Sequence, residues 1–219
     1  MTLLVQPLKP DDLPQVAIIE DAAFGSTSPL HRLMYPGWPS QFSIDDTLKR
    51  LEKTINEPRT TSYKVVDSSG DNLIIAVVHF KTYDKDQPQN EWDTAYEPAS
   101  DGSPEKNTAF FNLFIGGMAE FKRKNIQGKA RVHINVLVTH PDHHRRGAGK
   151  LLLDKCATHA DQVGLPTILE ASPLAAPLYT RNGFVPVDGA VLSLDLRPWG
   201  IDETNHTVMM VRPVGSREG

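Results

Sequence analysis

The sequence predicts a single α/β domain, and three observations support this. The chain has 219 residues, somewhat more than the roughly 150 residues of an average domain. Apolar residues make up 39% of the chain and charged residues 23%, which is ordinary for a soluble globular protein with one sizeable core. Segments with strand patterning and segments with helix patterning follow one another along the sequence. We therefore expect one domain over residues 1–219.

The composition excludes several classes of protein. The single cysteine, Cys156, excludes an intrachain disulfide and a cysteine-based zinc or iron–sulfur centre. The net charge of -4 disfavours a non-specific nucleic-acid binder. The longest apolar run, residues 73–78, is far shorter than the roughly 20 residues of a membrane span, and no targeting segment is visible. We expect no nucleic-acid or membrane partner and a cytoplasmic protein, with the nucleus as the second choice.

The first half of the chain alternates between strand and helix patterns. In order, the predicted elements are a strand at 2–8, a helix at 13–23, a helix at 43–57 and strands at 62–66 and 73–80. Turn residues at 67–72 join the last two strands into a hairpin. The segment 24–39 contains three prolines and large apolar residues. We expect it to be an irregular loop that is tucked under the domain or lines a pocket.

Residues 84–106 interrupt this pattern with acidic and turn residues. We expect a long, mobile insertion in which Trp92 and Tyr96 dock on the domain. After it, residues 107–125 show a helix pattern with phenylalanines along one side, which is typical of core packing.

The strand predicted at 130–139 has two unlike faces. One face is wholly apolar and should enter the core; it consists of Val132, Ile134, Val136 and Val138. The other face is mixed, as in a strand that borders a cleft; it consists of His133, Asn135, Leu137 and Thr139. The remaining predicted elements are helices at 149–162 and 175–181 and strands at 166–171, 184–187, 191–196 and 207–211.

A glycine-containing turn lies between this strand and the next helix. It reads His144-Arg145-Arg146-Gly147-Ala148-Gly149-Lys150. Two glycines at a helix N-terminus allow a tight bend that exposes backbone N–H groups, and such groups bind phosphate. The three basic side chains add positive charge. The alternative is an ordinary glycine-rich turn with a solvated basic face.

The spacing of residues in this turn does not match the other phosphate-binding motifs or a metal site. A Walker loop needs glycine at 144 and Ser or Thr at 151, where the chain has His144 and Leu151. A dinucleotide fingerprint needs a third glycine at 152, where the chain has Leu152. The histidines at 140, 143 and 144 span a turn without the spacing of metal ligands, so we expect no metal.

Two stretches of the chain resemble the GNAT superfamily of N-acetyltransferases. Residues 139–149 resemble its acetyl-CoA signature, Gln/Arg-x-x-Gly-x-Gly/Ala, with His144 at the Gln/Arg position and both glycines matched. Residues 169–184 resemble a second element, Asn-x-x-Ala-x-x-x-Tyr-x-x-x-Gly-Phe. There Ser172 replaces the asparagine, and the matches are Ala175, Tyr179, Gly183 and Phe184. The sequence Glu-Ala-Ser-Pro at 170–173 and the acidic insertion are similar to those of fungal members of the family.

The resemblance implies a fold and a co-substrate. The fold would be a mixed, mostly antiparallel twisted sheet flanked by helices. The co-substrate would be acetyl-CoA, with its pantetheine arm on the backbone of Leu137, Val138 and Thr139. Its pyrophosphate would lie on the amides of Arg145, Arg146, Gly147, Ala148, Gly149 and Lys150. The other implied cofactor contacts are His144, Ser172, Ala175 and Tyr179.

The resemblance also implies how the acetyl group moves. A neutral amine attacks the thioester directly, and Tyr179 matches the family's proton donor to the leaving thiolate. The alternative for Tyr179 is a buried tyrosine with a satisfied hydroxyl. His133 is our first candidate for the base that takes the amine proton, since a histidine near its ordinary pKa suits this step. The alternative for His133 is a partly buried histidine bonded to the backbone. The other candidates for the base are a water chain ordered by backbone carbonyls and Glu170.

We therefore predict an enzyme that acetylates a primary amine, most simply of a small molecule, through a ternary complex. The acceptor would lie near residues 24–38 and the tail strands, and the acidic insertion would favour a cationic acceptor. The alternatives are a protein or histone N-acetyltransferase and a non-catalytic acetyl-CoA-binding protein. We expect a monomer or a homodimer.

Overall fold

A computed structural model describes residues 2–69, 72–100 and 102–216. The strands are β1 Leu3–Pro7, β2 Thr60–Asp67, β3 Leu73–Tyr83, β4 Arg131–Thr139, β5 Thr167–Ala171, β6 Val185–Asp195 and β7 Thr204–Arg212. The helices are α1 Leu13–Thr27, α2 Pro29–Met34, α3 Gln41–Thr54, α4 Gln89–Trp92, α5 Thr108–Ile126, α6 Ala148–Val163 and α7 Ala176–Thr180. Among the described residues, no helix combines the length and the apolar character needed to cross a membrane.

The seven strands of the described residues form one sheet in the order β1-β2-β3-β4-β5-β7-β6. Every neighbouring pair is antiparallel except β4 and β5, which are parallel. The predicted mixed, mostly antiparallel sheet flanked by helices is thus confirmed. The β2–β3 hairpin is confirmed as well, although Gly70 and Asp71 of its predicted turn lie outside the described residues.

Apolar side chains cover both faces of the sheet. On one face, which we call the α6 face, Phe80, Ile134 and Leu169 pack with helix α6. On the opposite face, which we call the α1 face, Val66 and Val138 pack with helices α1 and α3. Further along that second face, a smaller cluster joins Phe121 of α5 to residues of β5 and β7. The strand that the sequence analysis singled out, β4, is therefore covered by helices on both sides.

The prediction that strand β4 has one wholly apolar face is wrong. Strand β3 pairs His79 with Val136 but Phe80 with Ile134, so Asn135 is an extra residue in β4. Such a β-bulge shifts the alternation of side chains by one position. As a result, Ile134 and Leu137 both lie on the α6 face, whereas Val138 lies on the α1 face.

The segment 24–39 is also more ordered than predicted. Helix α1 continues to Thr27, and Pro29 occupies the first turn of α2, a position that suits proline. The indole N–H of Trp38 donates to Asp21 at 2.8 Å, and Leu30 is buried with residues of α5 and the tail. The expectation that this segment is tucked under the domain is confirmed, whereas the expectation of an irregular loop is wrong.

The acidic insertion is held on the domain by its aromatic residues. The Tyr96 hydroxyl donates to Asn112 of α5 at 2.8 Å. The Trp92 ring lies against Gly128, where a Cβ atom would come within 2.2 Å of it. The predicted docking of both aromatics is confirmed for the described part of the insertion, which leaves out Asp101. In the tail, the two strands predicted at 184–187 and 191–196 form the single strand β6, which is irregular between Pro186 and Val191.

Candidate functional site

The parallel strands β4 and β5 diverge in the middle of the sheet. Their paired residues are Val132 with Thr167, His133 with Ile168 and Ile134 with Leu169. Beyond Ile134, β4 continues through residues 135–139 and pairs with β3 on its other side. We call this opening between β4 and β5 the splay. Leu137, Val138 and Thr139, the residues expected to bind a pantetheine arm, lie on its β4 side, where an extended ligand has backbone groups available for pairing.

The bulge at Asn135 determines what lies on each side of the splay. On the α6 face, Leu137 and Thr139 approach the start of helix α6. A Cβ atom at Gly149 would lie 3.7 Å from Leu137 Cδ2 and 3.8 Å from Thr139 Oγ1. The helix N-terminus therefore lies close to the end of the strand, at ordinary van der Waals distance from a Cβ atom at this position. On the other face, the Asn135 side chain is exposed.

The turn before helix α6 has the geometry of an anion site. Gly147 has a φ of 87°, and a Cβ atom there would meet no heavy atom within 4 Å. The Leu151 N–H donates to Gly147 O at 3.1 Å as the first bond of the helix. The N–H groups of Ala148, Gly149 and Lys150 precede that bond and have no partner within the helix. The open corner and these N–H groups fit a diphosphate.

The basic side chains of this turn are only partly available to a ligand. Arg146 forms an ion pair with Asp67 of β2 and lies 2.6 Å from His143 Nδ1. The Ser69 hydroxyl and the Arg146 guanidinium hold the pKa of Asp67 well below its usual range. Lys150 pairs with Asp154 one turn along the helix, at 2.6 Å.

Two further side chains of the turn differ in their contacts. Arg145 is exposed, with a φ of 60°. His144 Nε2 lies 3.0 Å from Thr139 O, so its ring connects the turn to the end of β4. An anion at this turn would therefore meet main-chain N–H groups more than the full set of basic side chains expected from the sequence.

The second predicted motif forms the short helix α7 and its cap. Ser172 Oγ accepts from the Ala175 N–H at 3.3 Å, and the Ser172 carbonyl accepts from Ala176 at 3.0 Å. Ser172 is exposed and Ala175 is half-buried against the core. Gly183 has a φ of 80°, and a Cβ atom there would lie 2.8 Å from the Ser216 carbonyl, so the position requires glycine.

Tyr179 packs within the core on the α6 face. Its residue is 6% exposed, and its ring contacts Phe184 edge-on with centroids 5.7 Å apart. Burial and the nearby Cys156 raise the pKa of Tyr179 to about 12. The phenol is therefore protonated at neutral pH, as a proton donor must be. Burial also raises the pKa of the Cys156 thiol to about 12, which agrees with a core residue and not with a nucleophile.

His133 forms a buried dyad with Glu170. Its Nε2 atom lies 3.0 Å and 3.1 Å from the two Glu170 carboxylate oxygens. The His133 residue is 4% exposed, and the Glu170 side chain is 6% exposed. Lys122 of α5 completes the group, with Nζ 3.4 Å from Glu170. The structure thus brings together two residues that the sequence analysis treated as alternatives. The ring of His133 contacts a carboxylate, and not the backbone as the alternative interpretation had it.

The charges of the dyad follow from this geometry. Burial alone would raise the pKa of Glu170, but His133 and Lys122 outweigh burial and lower this pKa to about 2. Burial lowers the pKa of His133 below its ordinary value of 6.5, and Glu170 opposes that shift only in part. At neutral pH the neutral imidazole donates its Nε2–H to the carboxylate, so Nδ1 carries the lone pair that can accept a proton.

A cavity of about 360 Å³ lies beside the dyad on the α1 face. It is lined by β4, by α5 and by residues of the insertion, among them Tyr83, Trp92, Lys122, Arg131, His133 and Asn135. Because Asn135 is the residue at which β4 leaves β5, the cavity reaches the splay. One side of the splay therefore meets the glycine turn of helix α6, and the other meets the cavity that His133 lines.

Comparison with known proteins agrees with this arrangement. Residues 86–193 match the family model described as the acetyltransferase (GNAT) domain. The chain contains a GNAT acetyltransferase domain. The GNAT family consists of acetyl-transfer enzymes that use acetyl-CoA as their co-substrate, so the expectation of an acyltransferase is confirmed. No curated protein sequence matches the chain.

Solved structures share the GNAT fold along nearly the whole chain. The polyamine N-acetyltransferase of Drosophila melanogaster, which forms N-acetylagmatine, has a TM-score of 0.67 at 15% identity, over 97% of this chain and 100% of that one. The mosquito protein described as arylalkylamine N-acetyltransferase like 5b has a TM-score of 0.66 at 14% identity, over 96% of this chain and 99% of that one. A Corynebacterium glutamicum protein described as histone acetyltransferase HPA2 and related acetyltransferase has a TM-score of 0.62 at 18% identity, over 100% of both chains. At these identities the likeness shows the fold alone.

Sequence reasoning missed part of this GNAT domain's cavity. Arg131 and Lys122 line it but were not singled out as site residues. The β4 pattern contained a signal for Arg131, because residues two apart on a strand share a face and Arg131 precedes His133 by two. Lys122 carried no such signal, since it reaches Glu170 from a helix whose docking the sequence does not specify.

Proposed function

We propose that this protein transfers the acetyl group of acetyl-CoA directly to a primary amine of a small molecule, in a ternary complex. The observation that carries the proposal is the splay of β4 from β5. It joins the anion-binding turn of helix α6 to the cavity that contains His133. A thioester in the splay would have its diphosphate on one side of the sheet and its acceptor amine on the other.

In this proposal, the main chain holds most of acetyl-CoA. The N–H groups of residues 145–150 bind the diphosphate, because the corner at Gly147 is open and the helix start leaves its donors unpaired. The backbone of Leu137, Val138 and Thr139 binds the pantetheine arm. His144, Ser172, Ala175 and Tyr179 lie on the two motifs that flank this path.

The chemistry requires one proton acceptor and one proton donor. The amine nitrogen attacks the thioester carbonyl carbon, a C–N bond forms and the C–S bond breaks. His133 Nδ1 accepts the amine proton, and Glu170 stabilises the imidazolium that results. Tyr179 gives its phenolic proton to the departing thiolate. One proton thus enters the protein and one leaves it in each reaction, and exchange with water restores both groups.

Two observations favour a small acceptor over a protein tail. The cavity is about 360 Å³, a volume typical of small-molecule sites. In addition, basic neighbours pair with two acidic residues of the insertion, which leaves less negative charge to attract a basic peptide. Asp86 pairs with Lys129 at 2.9 Å, and Asp93 forms an ion pair with Arg123. Among the similar folds, the Drosophila and mosquito proteins are described as acetyltransferases of small amines.

A turnover assay tests the proposal. Purified protein is incubated with acetyl-CoA and a panel of primary amines, free thiol is measured, and acetyl-CoA binding is measured in parallel by calorimetry. We expect at least one small amine to release thiol and to yield its N-acetyl product. Binding without turnover of any amine would favour the non-catalytic alternative, and turnover of basic peptides alone would favour a protein acetyltransferase. The fungal origin, the cytoplasmic location and the monomeric or homodimeric state stay predictions.

A further inference from the structure

The cavity beside His133 contains a buried cation, Arg131, for which the described residues provide no ion-pair partner. We infer that the acceptor amine carries a carboxylate, which binds Arg131 while the amine lies at the splay. This inference rests on the proposed function and adds to it the chemical class of the acceptor. It differs from the cationic acceptor that the acidic insertion suggested.

Arg131 is the residue on which the inference depends. It is 8% exposed, and its Nε is a buried atom without a hydrogen-bond partner among the described residues. Its Nη1 donates to Lys129 O at 2.6 Å, and its guanidinium lies 3.9 Å from the centre of the Tyr83 ring. Within the described ranges, no carboxylate forms an ion pair with it. Burying a guanidinium without a directly paired carboxylate is costly, so the position favours an anionic ligand.

The free edge of the guanidinium suits a carboxylate. Nη1 is occupied by a backbone carbonyl, which leaves Nε and Nη2 as two parallel donors along one side. Two parallel N–H donors match the two oxygens of a carboxylate in a bidentate contact. An ammonium group has no acceptor to meet at this edge, so a diamine would leave the Arg131 charge uncompensated.

The charge of the cavity lining supports the same conclusion. Among the described lining residues, four are cationic and one is acidic; they are Arg59, Lys122, Arg123, Arg131 and Glu91. Lys122 pairs with Glu170, and Arg123 pairs with Asp93 and Glu120. Arg59 is exposed and only 3.9 Å from Glu91. The remaining excess of positive charge therefore lies around Arg131.

The strand sets the distance between the two ends of the acceptor. Arg131, His133 and Asn135 all line the cavity. Two residues of a strand span roughly 6.7 Å, so Arg131 and Asn135 are separated by about 13 Å along β4. Because the Arg131 side chain and the acceptor each cover part of that distance, the amine and the carboxylate should be on the order of 10 Å apart or less. This range suits an ω-amino carboxylate.

The experiment compares matched acceptors. Each ω-amino carboxylate, such as 6-aminohexanoate, is paired with the alkylamine of the same carbon number, such as hexylamine, and kcat/KM is measured for both. We expect the carboxylate to be preferred by about tenfold or more. Arg131→Gln should abolish that preference, chiefly by raising KM for the carboxylate. Lys124→Gln, an exposed charge on α5 outside the cavity lining, is the control and should keep the preference.

Calorimetry with the same pairs separates failure of the inference from failure of the proposed function. If the alkylamine is acetylated as well as the carboxylate, the inference is wrong and the acetyltransferase stands. If no amine is acetylated, the proposed function fails, and binding decides the inference. Binding of 6-aminohexanoate that is lost in Arg131→Gln supports the carboxylate site, whereas no binding, or equal binding of hexylamine, overturns it. If Arg131→Gln does not fold, Arg59→Gln serves instead, with a smaller expected loss of the preference because Arg59 is exposed; no loss would count against the site.

Discussion

His133 Nε2 contacts both carboxylate oxygens of Glu170, at 3.0 Å and 3.1 Å. The two residues lie on the parallel strands β4 and β5, where His133 is paired with Ile168 and Glu170 follows two residues later on the same face. The contact therefore depends on the register of two strands that are distant in sequence. It fixes the imidazole so that Nδ1 is the atom free to accept a proton.

This relationship predicts opposite pH shifts for two substitutions. Glu170 raises the pKa of His133, and Lys122 lowers it, on top of the larger lowering by burial. In Glu170→Gln the histidine loses its raising influence, so the acidic limb of the kcat/KM profile should move to lower pH. In Lys122→Met the same limb should move to higher pH. The wild-type limb should lie below pH 6.5, the ordinary value for histidine. Shifts of the same sign in both variants would show that His133 is not the titrating base.

Tyr179→Phe tests the proton donor. The phenylalanine keeps the contact with Phe184 but cannot protonate the thiolate. We expect kcat to fall by about 100-fold while the affinity for acetyl-CoA, measured by calorimetry, stays within about twofold of the wild type. The matched control is Tyr96→Phe, which removes a hydroxyl of the insertion that donates to Asn112 of α5. This variant should leave kcat unchanged. An unaltered kcat in Tyr179→Phe would assign the proton to another donor.

Gly25→Ala tests the packing of the segment between α1 and α3. A Cβ atom at Gly25 would come within 2.0 Å of the Trp38 ring, which donates to Asp21. Since that ring is held in place, the substitution should lower the free energy of unfolding by about 1–3 kcal/mol. Gly37→Ala, where a Cβ atom would meet nothing within 4 Å, should change it by less than about 0.5 kcal/mol. Urea unfolding of both variants measures the difference, and equal stabilities would mean that Trp38 does not pack on Gly25 in solution.

Parts of the site that depend on local sequence could be predicted, and parts that depend on strand register could not. The glycine turn at 147–149 and the helix after it follow from backbone preferences within a few residues. The bulge at Asn135 depends on which residues of β3 face β4, and no feature of β4 alone specifies it. That one extra residue separates Leu137 from His133 onto opposite faces, which the alternating pattern had placed together.

Charge was the other property that sequence reasoning misjudged. The acidic residues of the insertion suggested a cationic acceptor, but Asp86 and Asp93 form ion pairs with residues at the end of α5 and after it. Arg131 was unremarkable in the sequence because an arginine at a strand start is usually solvated. Its significance comes from the ring of Tyr83 and the burial of its Nε, which only the packed structure shows.

The most direct test of the account is calorimetry of acetyl-CoA binding to Gly147→Glu and Gly164→Glu. Both glycines have a positive φ and open space around a Cβ atom, and they flank the two ends of helix α6. Both variants therefore place a side chain on a left-handed residue, but only Gly147→Glu places a carboxylate where the diphosphate should bind. In Gly147→Glu we predict that the affinity for acetyl-CoA falls by about 100-fold or more. In Gly164→Glu we predict near-normal affinity. Unchanged binding in Gly147→Glu would contradict the assignment of this turn to acetyl-CoA.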